Sequence, residues 1–155
     1  IRSELQWAPG QAVDFALEVD TALSGQIEWI SGGFQRAVDF DNTEPWVIWV
    51  NRSAGTIQPE VDISTINAQE VGATQSISVA ERRIYGVERF ATRSAYRRDN
   101  EIAESLDWST AYTAAMQVRF TTQSASAQSR FDFVRLRRAS DPPPSVTLGT
   151  TESAP

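Results

Sequence analysis

Apolar and polar residues alternate with a period of two along most of this chain. In AVDFALEV, residues 12–19, Val13, Phe15, Leu17 and Val19 point one way, and Asp14, Ala16 and Glu18 the other. That is the pattern of a strand with one buried face. QIEWI resumes it with Ile27 and Trp29, and Gly32-Gly33 predicts a tight turn before FQRAVDF, which sets Phe34, Arg36, Val38 and Phe40 on one face. WVIWV, residues 46–50, is apolar on both sides, as expected of a central strand covered on both faces or of the wall of a binding face. IQPEVDIS, residues 57–64, reads as an edge strand because Pro59 has no amide hydrogen for a ladder. QSISV and RIYGVERF supply two more strands, and Asp99-Asn100 in AYRRDNEIAES predicts a two-residue hairpin turn with positive φ. AYTAAMQVRFTT places Met116, Val118 and Phe120 on one side, and RFDFVRLRR is the last strand of the pattern. Turn signals recur every ~8–12 residues and no segment sustains a helical stripe, the signature of a sandwich or barrel.

At 155 residues the chain is expected to form one domain with a full core, over residues 1–141. Residues 142–155 read as a Pro-rich exit, a short strand and a linker-like tail, since three consecutive prolines fix φ and supply no donors. With 41% hydrophobic residues and no apolar run near the ~20 residues of a membrane span, a soluble chain without a span is expected. A start at Ile1, without methionine or leader, points to a processed form or an excised module. Cysteine is absent, and so are histidine and lysine: all 14 basic residues are arginine. This removes thiol chemistry, imidazole bases and metal ligands, P-loop lysines and Schiff bases. The net charge of −6 conceals an asymmetry, with a balance of −8 over residues 1–79 and +4 over residues 80–138. Solvated surface and pairing between the two halves are both consistent with it. Nucleic acid is not an expected partner of an acidic chain with no binding motif.

The block FDFVRLRRASDPPPSVTLG, residues 131–149, resembles the closing strand and Pro-rich exit of a domain family of unknown function found in archaeal and bacterial surface proteins. SAYRRDNEIAES followed by DWSTAYTAAMQVRF looks like that family's penultimate hairpin and strand, so the resemblance covers residues 84–149. The family is described as a laminin-G-like or concanavalin-like jelly roll. The resemblance implies an extracellular two-sheet antiparallel β-sandwich used for carbohydrate binding, adhesion or assembly, with no catalytic residue to carry over.

Three constellations are candidate sites. EVDIST, residues 60–65, looks like the start of the Glu-x-Asp-x-x-Glu strand of one concanavalin-like glycosidase family, with Glu60 and Asp62 on one strand face. Retaining hydrolysis needs a second working carboxylate about 5–5.5 Å from the nucleophile, and Ser64 and Thr65 cannot serve. DFDNTE offers Asp39, Asp41, Asn42 and Glu44, an oxygen-rich set suited to calcium; an ordinary Asx turn before Pro45 is the alternative. Trp29, Trp46 and Trp49 are the candidate ligand-binding residues. Trp46 and Trp49, three apart, must lie on opposite faces, giving a core anchor on one side and a sugar-stacking platform on the other. The pairs Arg82-Arg83, Arg97-Arg98 and Arg137-Arg138 are expected at the rim or surface, and Arg135 and Arg137 share a parity with Phe131 and Phe133, which predicts a β-bulge or the strand's exit from the core. Asn51-Arg52-Ser53 matches a glycosylation sequon.

These features predict a non-catalytic, extracellular or cell-surface module with a carbohydrate or surface-protein partner, possible calcium, and a capacity for self-association. A structural subunit of an extracellular filament is the first alternative. A concanavalin-like glycoside hydrolase is the second, disfavoured by the incomplete carboxylate set.

Overall fold

The computed structural model describes residues 2–19, 29–36, 45–51, 55–78, 80–123 and 129–139. Twelve strands are present among them: β1 Arg2–Trp7, β2 Gln11–Val19, β3 Trp29–Gln35, β4 Trp46–Val50, β5 Thr56–Ile63, β6 Ala68–Val71, β7 Gln75–Ser76, β8 Arg83–Arg89, β9 Arg93–Arg98, β10 Glu101–Asp107, β11 Met116–Gln123 and β12 Ser129–Arg138. A single 3-10 turn, Ser64–Ile66, follows β5. The strands form two antiparallel sheets. One runs β1-β11-β3-β4-β5-β6, with β7 also on β5; the other runs β10-β9-β8-β2-β12. This is the expected jelly-roll sandwich.

The inter-sheet core is the one the alternation predicts. Val13, Phe15 and Leu17 of β2 meet Met116, Val118 and Phe120 of β11, all nearly or wholly buried. Phe15 packs edge-on to Phe120 at 5.0 Å between ring centroids and stacks with Tyr85 at 5.9 Å. Val38 and Phe40, expected in the same core, lie outside the described residues. Asp99 and Asn100 adopt φ of 52° and 73° in the turn between β9 and β10, as their side chains permit.

Two local expectations fail for packing reasons. Gly32-Gly33 is no turn but the middle of β3. A Cβ on Gly32 would lie 2.6 Å from the Phe15 ring, and one on Gly33 would lie 2.5 Å from the Val47 carbonyl. These glycines admit close neighbours, a need that looks like a turn signal in sequence. Strand β5 is not an edge either. Short strands β6 and β7 pair with Glu60–Ile63 and Thr56–Ile57 respectively, leaving a gap at Gln58 and Pro59. The Pro59 carbonyl still accepts from Gly72 at 2.9 Å, while its missing donor falls where no ladder partner stands.

Pairing between the two charge-biased halves is real and intramolecular. The register of β12 on β2 shifts between Phe131 and Val134, the predicted bulge. Past it, Arg135 and Arg137 lie beside Asp14 on the face of the five-stranded sheet turned away from the core. Asp14 is 4% exposed and Glu88 3%. Arg135 and Arg137 both donate to Asp14, at 2.8 and 2.9 Å, and Arg137 also reaches Glu88 at 2.7 Å. Arg97 donates to Glu88 at 2.8 Å. Burial lowers the Arg137 pKa, and the bonds to Asp14 and Glu88 more than restore it.

Candidate functional site

The face of the seven-stranded sheet turned away from the core carries one continuous row. The registers align Gln6 with Gln117, Gln117 with Gln35, Gln35 with Trp46, Trp46 with Asp62, and Asp62 with Gln69. Directly paired residues share a face, so six strands contribute four amides, one indole and one carboxylate to a single line. The neighbouring row holds Arg119, Gly33, Ile48 and Glu60. Hydrophobic alternation produces this arrangement: Val47, Trp49, Val61, Val118 and Phe34 turn to the core, so their strand neighbours must turn away.

The two rows differ in access. Ile48, Arg119 and Glu60 are buried, at 1%, 5% and 7% exposure; in the first row Gln35 and Gln117 are equally buried, at 5% and 7%, while Trp46 and Asp62 are partly open and Gln6 and Gln69 exposed. The Trp46 indole donates from Nε1 to Glu60 Oε1 at 3.0 Å, which fixes the ring over its strand neighbour. Gln69 donates to Asp62 at 3.3 Å. Gln35 donates along its own strand to the Ser31 hydroxyl at 3.2 Å. Gln117 Oε1 and Thr121 Oγ1 are buried on this face without a protein hydrogen-bond partner. A buried acceptor of this kind costs free energy unless water or a ligand donates to it.

The candidate tryptophans separate as their spacing requires. Trp49 is wholly enclosed between the sheets, edge-on to Tyr85 and Tyr96, with its Nε1 donating to the Gly86 carbonyl at 2.9 Å. It is the core anchor, out of reach of any ligand. Trp46 occupies the outward face. Trp29 begins β3 opposite Gln123, and its side chain lies outside the described residues. Strand β4 is covered on both faces, since outward-facing Ile48 and Val50 are as buried as Val47 and Trp49.

Glu60 and Asp62 share the outward face of β5, as EVDIST predicted, and the positions that follow form the 3-10 turn. The hydroxyl of Tyr96, from the opposite sheet, donates to the Glu60 carbonyl at 2.8 Å. The proposed calcium ligands Asp39, Asp41, Asn42 and Glu44 all lie outside the described residues; of the residues flanking them, Arg36 N–H donates to the Pro45 carbonyl at 2.9 Å. Among the described residues no cluster of three or more carboxylates could hold a metal ion, and no helix is long and apolar enough to cross a membrane. The sequon residue Asn51 is 2% exposed and its amide donates to the Thr56 carbonyl, so it is spent on the chain itself.

Sequence reading passed over Arg89. Its guanidinium is fully buried and donates to the carbonyls of Trp7, at 3.0 Å, and Ala114, at 2.6 Å, beside the Tyr112 ring. Burial lowers its pKa to about 10, so it stays charged at neutral pH while tying β8 to β1 and the 112–114 segment. Nothing in the local pattern separates it from a surface arginine.

No protein-family profile matches this sequence, and no curated protein matches it; the laminin-G-like assignment is not shown. Solved structures share the fold. An endo-β-1,3-glucanase from Pyrococcus furiosus superposes with a TM-score of 0.64 at 9% identity, over 85% of this chain and 62% of its own length. The alginate lyase A1-II' gives 0.62 at 12% identity, over 88% and 66%. Sheep galectin-11 gives 0.52 at 6% identity, over 88% and 95%. The chain thus spans less than two thirds of the glucanase. These likenesses establish the concanavalin-like jelly-roll sandwich, and they correct the expectation that the domain is no enzyme. A glucanase and an alginate lyase share this architecture, so the fold gives no ground for excluding catalysis. The missing third acid of EVDIST excludes only one arrangement of carboxylates.

Proposed function

We propose that the outward face of the seven-stranded sheet is a carbohydrate-binding face, with Trp46 as the stacking platform and Asp62 and Gln69 as hydrogen-bonding partners. The observation that carries this reading is the single cross-strand row in which a partly open indole, locked by Glu60, stands beside a carboxylate and a line of amides. Pyranose rings present an apolar face flanked by hydroxyls, which requires an aromatic plane with acceptors and donors at its edge. By their names, two of the structures sharing the fold act on polysaccharide. We place the activity outside the cell, in keeping with the resemblance to surface-protein domains.

The test is a glycan array probed with the wild-type chain and with Trp46→Ala. Binding to one glycan class that falls at least tenfold in the variant is the expected result, about 1.4 kcal/mol or more. Undiminished binding by Trp46→Ala, with its fold intact, would move the site elsewhere, and a blank array for both would overturn the reading. Incubating the bound glycan with the protein and measuring new reducing ends and unsaturated sugar reads hydrolysis and elimination in the same material.

A further inference from the structure

We infer that the outward face of the five-stranded sheet holds a second site, centred on Arg135, for the carboxylate groups of an acidic sugar chain. The sugar class rests on the carbohydrate reading above; the site itself is independent of Trp46. The registers of β12, β2, β8 and β9 align Arg135 with Asp14, Asp14 with Gly86, and Gly86 with Arg97. Gly86 carries no side chain, and a Cβ there would stand 2.7 Å from Asp14 Oδ1, so the gap admits the carboxylate. The side chains of Asp14 and Glu88 are only 6% and 4% exposed, while that of Arg135 is 58% exposed. The layer that meets solvent is therefore guanidinium.

Arg135 is the surplus cation of this cluster. Three guanidiniums, those of Arg97, Arg135 and Arg137, converge on two carboxylates. Glu88 is held by Arg97 and Arg137 without Arg135. Asp14 Oδ2 accepts from Arg137 Nε at 2.9 Å and from Arg135 Nε and Nη2 at 3.1 and 2.8 Å. A carboxylate oxygen has two lone-pair sites, so these three donors compete. Arg135 turns its Nε–Nη2 edge to Asp14. Its other edge, Nη1 with the second Nη2 hydrogen, has no hydrogen-bond partner among the described residues. That edge is a fork that takes a carboxylate by two parallel bonds. Arg97 stands three strand spacings away in the same row, roughly 14 Å. Its Nη2 is also without a partner among the described residues, which offers a second cation to another carboxylate of the same chain.

Isothermal titration at low ionic strength, where charges are least screened, compares tetragalacturonate, its fully methyl-esterified form and the galacturonate monosaccharide. The acid tetramer should bind at least roughly tenfold more tightly than the ester, which keeps the chain and removes the charge. Arg135→Gln loses a pair too exposed to cost much stability, and should weaken the acid tetramer at least roughly fivefold. Arg135→Lys keeps the charge without the fork and should fall between the two. Trp46→Ala should leave this binding unchanged. Added salt should weaken binding by the wild type, a readout that the folding of a variant does not affect. A tetramer that does not bind, or binds as well to Arg135→Gln, overturns the site. Loss in Trp46→Ala with Arg135→Gln unaffected overturns it too, by moving the acidic chain to the other face. Equal affinity for the monosaccharide makes this a site for a free oxyanion and overturns the chain. The glycan array with Trp46→Ala decides the carbohydrate reading separately from all of these.

Discussion

The Tyr96 hydroxyl of the five-stranded sheet donates to the Glu60 carbonyl of the seven-stranded sheet at 2.8 Å, so one hydrogen bond across the core fixes the backbone from which Glu60 and Asp62 project. Tyr96 is wholly buried, and burial raises its pKa well above the ordinary tyrosine value. A short distance away, the equally buried Tyr85 hydroxyl has no partner.

The two tyrosines should therefore respond to the same substitution with opposite sign. Tyr96→Phe removes the hydrogen bond that the Glu60 carbonyl accepts across the core and should cost about 1 kcal/mol in urea denaturation. Tyr85→Phe removes a stranded polar group and should be neutral or stabilising by up to about 1 kcal/mol. If Tyr85→Phe costs as much as Tyr96→Phe, the hydroxyl of Tyr85 has a partner, such as a buried water.

Alkaline stability follows from the same residues. Burial raises the Tyr85 pKa from 10.0 to about 12. Below pH 10 the folded and unfolded chains both hold this proton and the full contribution is present. As pH rises towards 12 the unfolded chain releases its proton first, so stability falls through that window, by at most about 3 kcal/mol. Denaturation midpoints between pH 9 and 12 should show this decline reduced in Tyr85→Phe, with Tyr96 leaving a residual slope. A variant curve parallel to the wild type would dismiss Tyr85 as its source.

The arginines beside Asp14 should not be equivalent. Arg135 reaches only Asp14 and its side chain is 58% exposed, whereas Arg137, 30% exposed, bridges Asp14 and Glu88. Arg137→Ala weakens the pairing of two buried carboxylates and should cost about 2–3 kcal/mol, against 1 kcal/mol or less for Arg135→Ala. Equal losses in thermal or chaotrope unfolding would mean that the bridging geometry adds nothing.

Gly33→Ala should be among the most damaging single changes, at about 3 kcal/mol or more. Its Cβ would meet the Val47 carbonyl at 2.5 Å and the Ile48 Cα at 2.9 Å, both backbone atoms that cannot step aside, at a φ of 148°. A soluble, fully cooperative variant melting near the wild type would show that β3 and β4 can separate without loss.

What the sequence by itself determined was the side-chain parity of the described strands. Val13, Phe15 and Leu17 against Met116, Val118 and Phe120, the opposite faces of Trp46 and Trp49, and the break in register between Phe131 and Val134 follow from side-chain parity within one strand, and the Asp99-Asn100 turn from the positive φ its own two residues tolerate. Parity is local, so it is readable without knowing which strand lies beside which. What only the tertiary structure decided depends on neighbours brought from far along the chain. Gly32 and Gly33 read as a turn because the need to admit the Phe15 ring and the Val47 carbonyl is invisible in their own segment. Pro59 read as an edge marker because the gap between β6 and β7 lies ten or more residues further on. Arg137 read as a rim group and Arg89 was passed over, because the carboxylates and carbonyls that hold them come from other strands. The row from Gln6 to Gln69 is of the same kind: six residues from six strands, aligned by hydrogen-bond register, which is set when the sheet assembles.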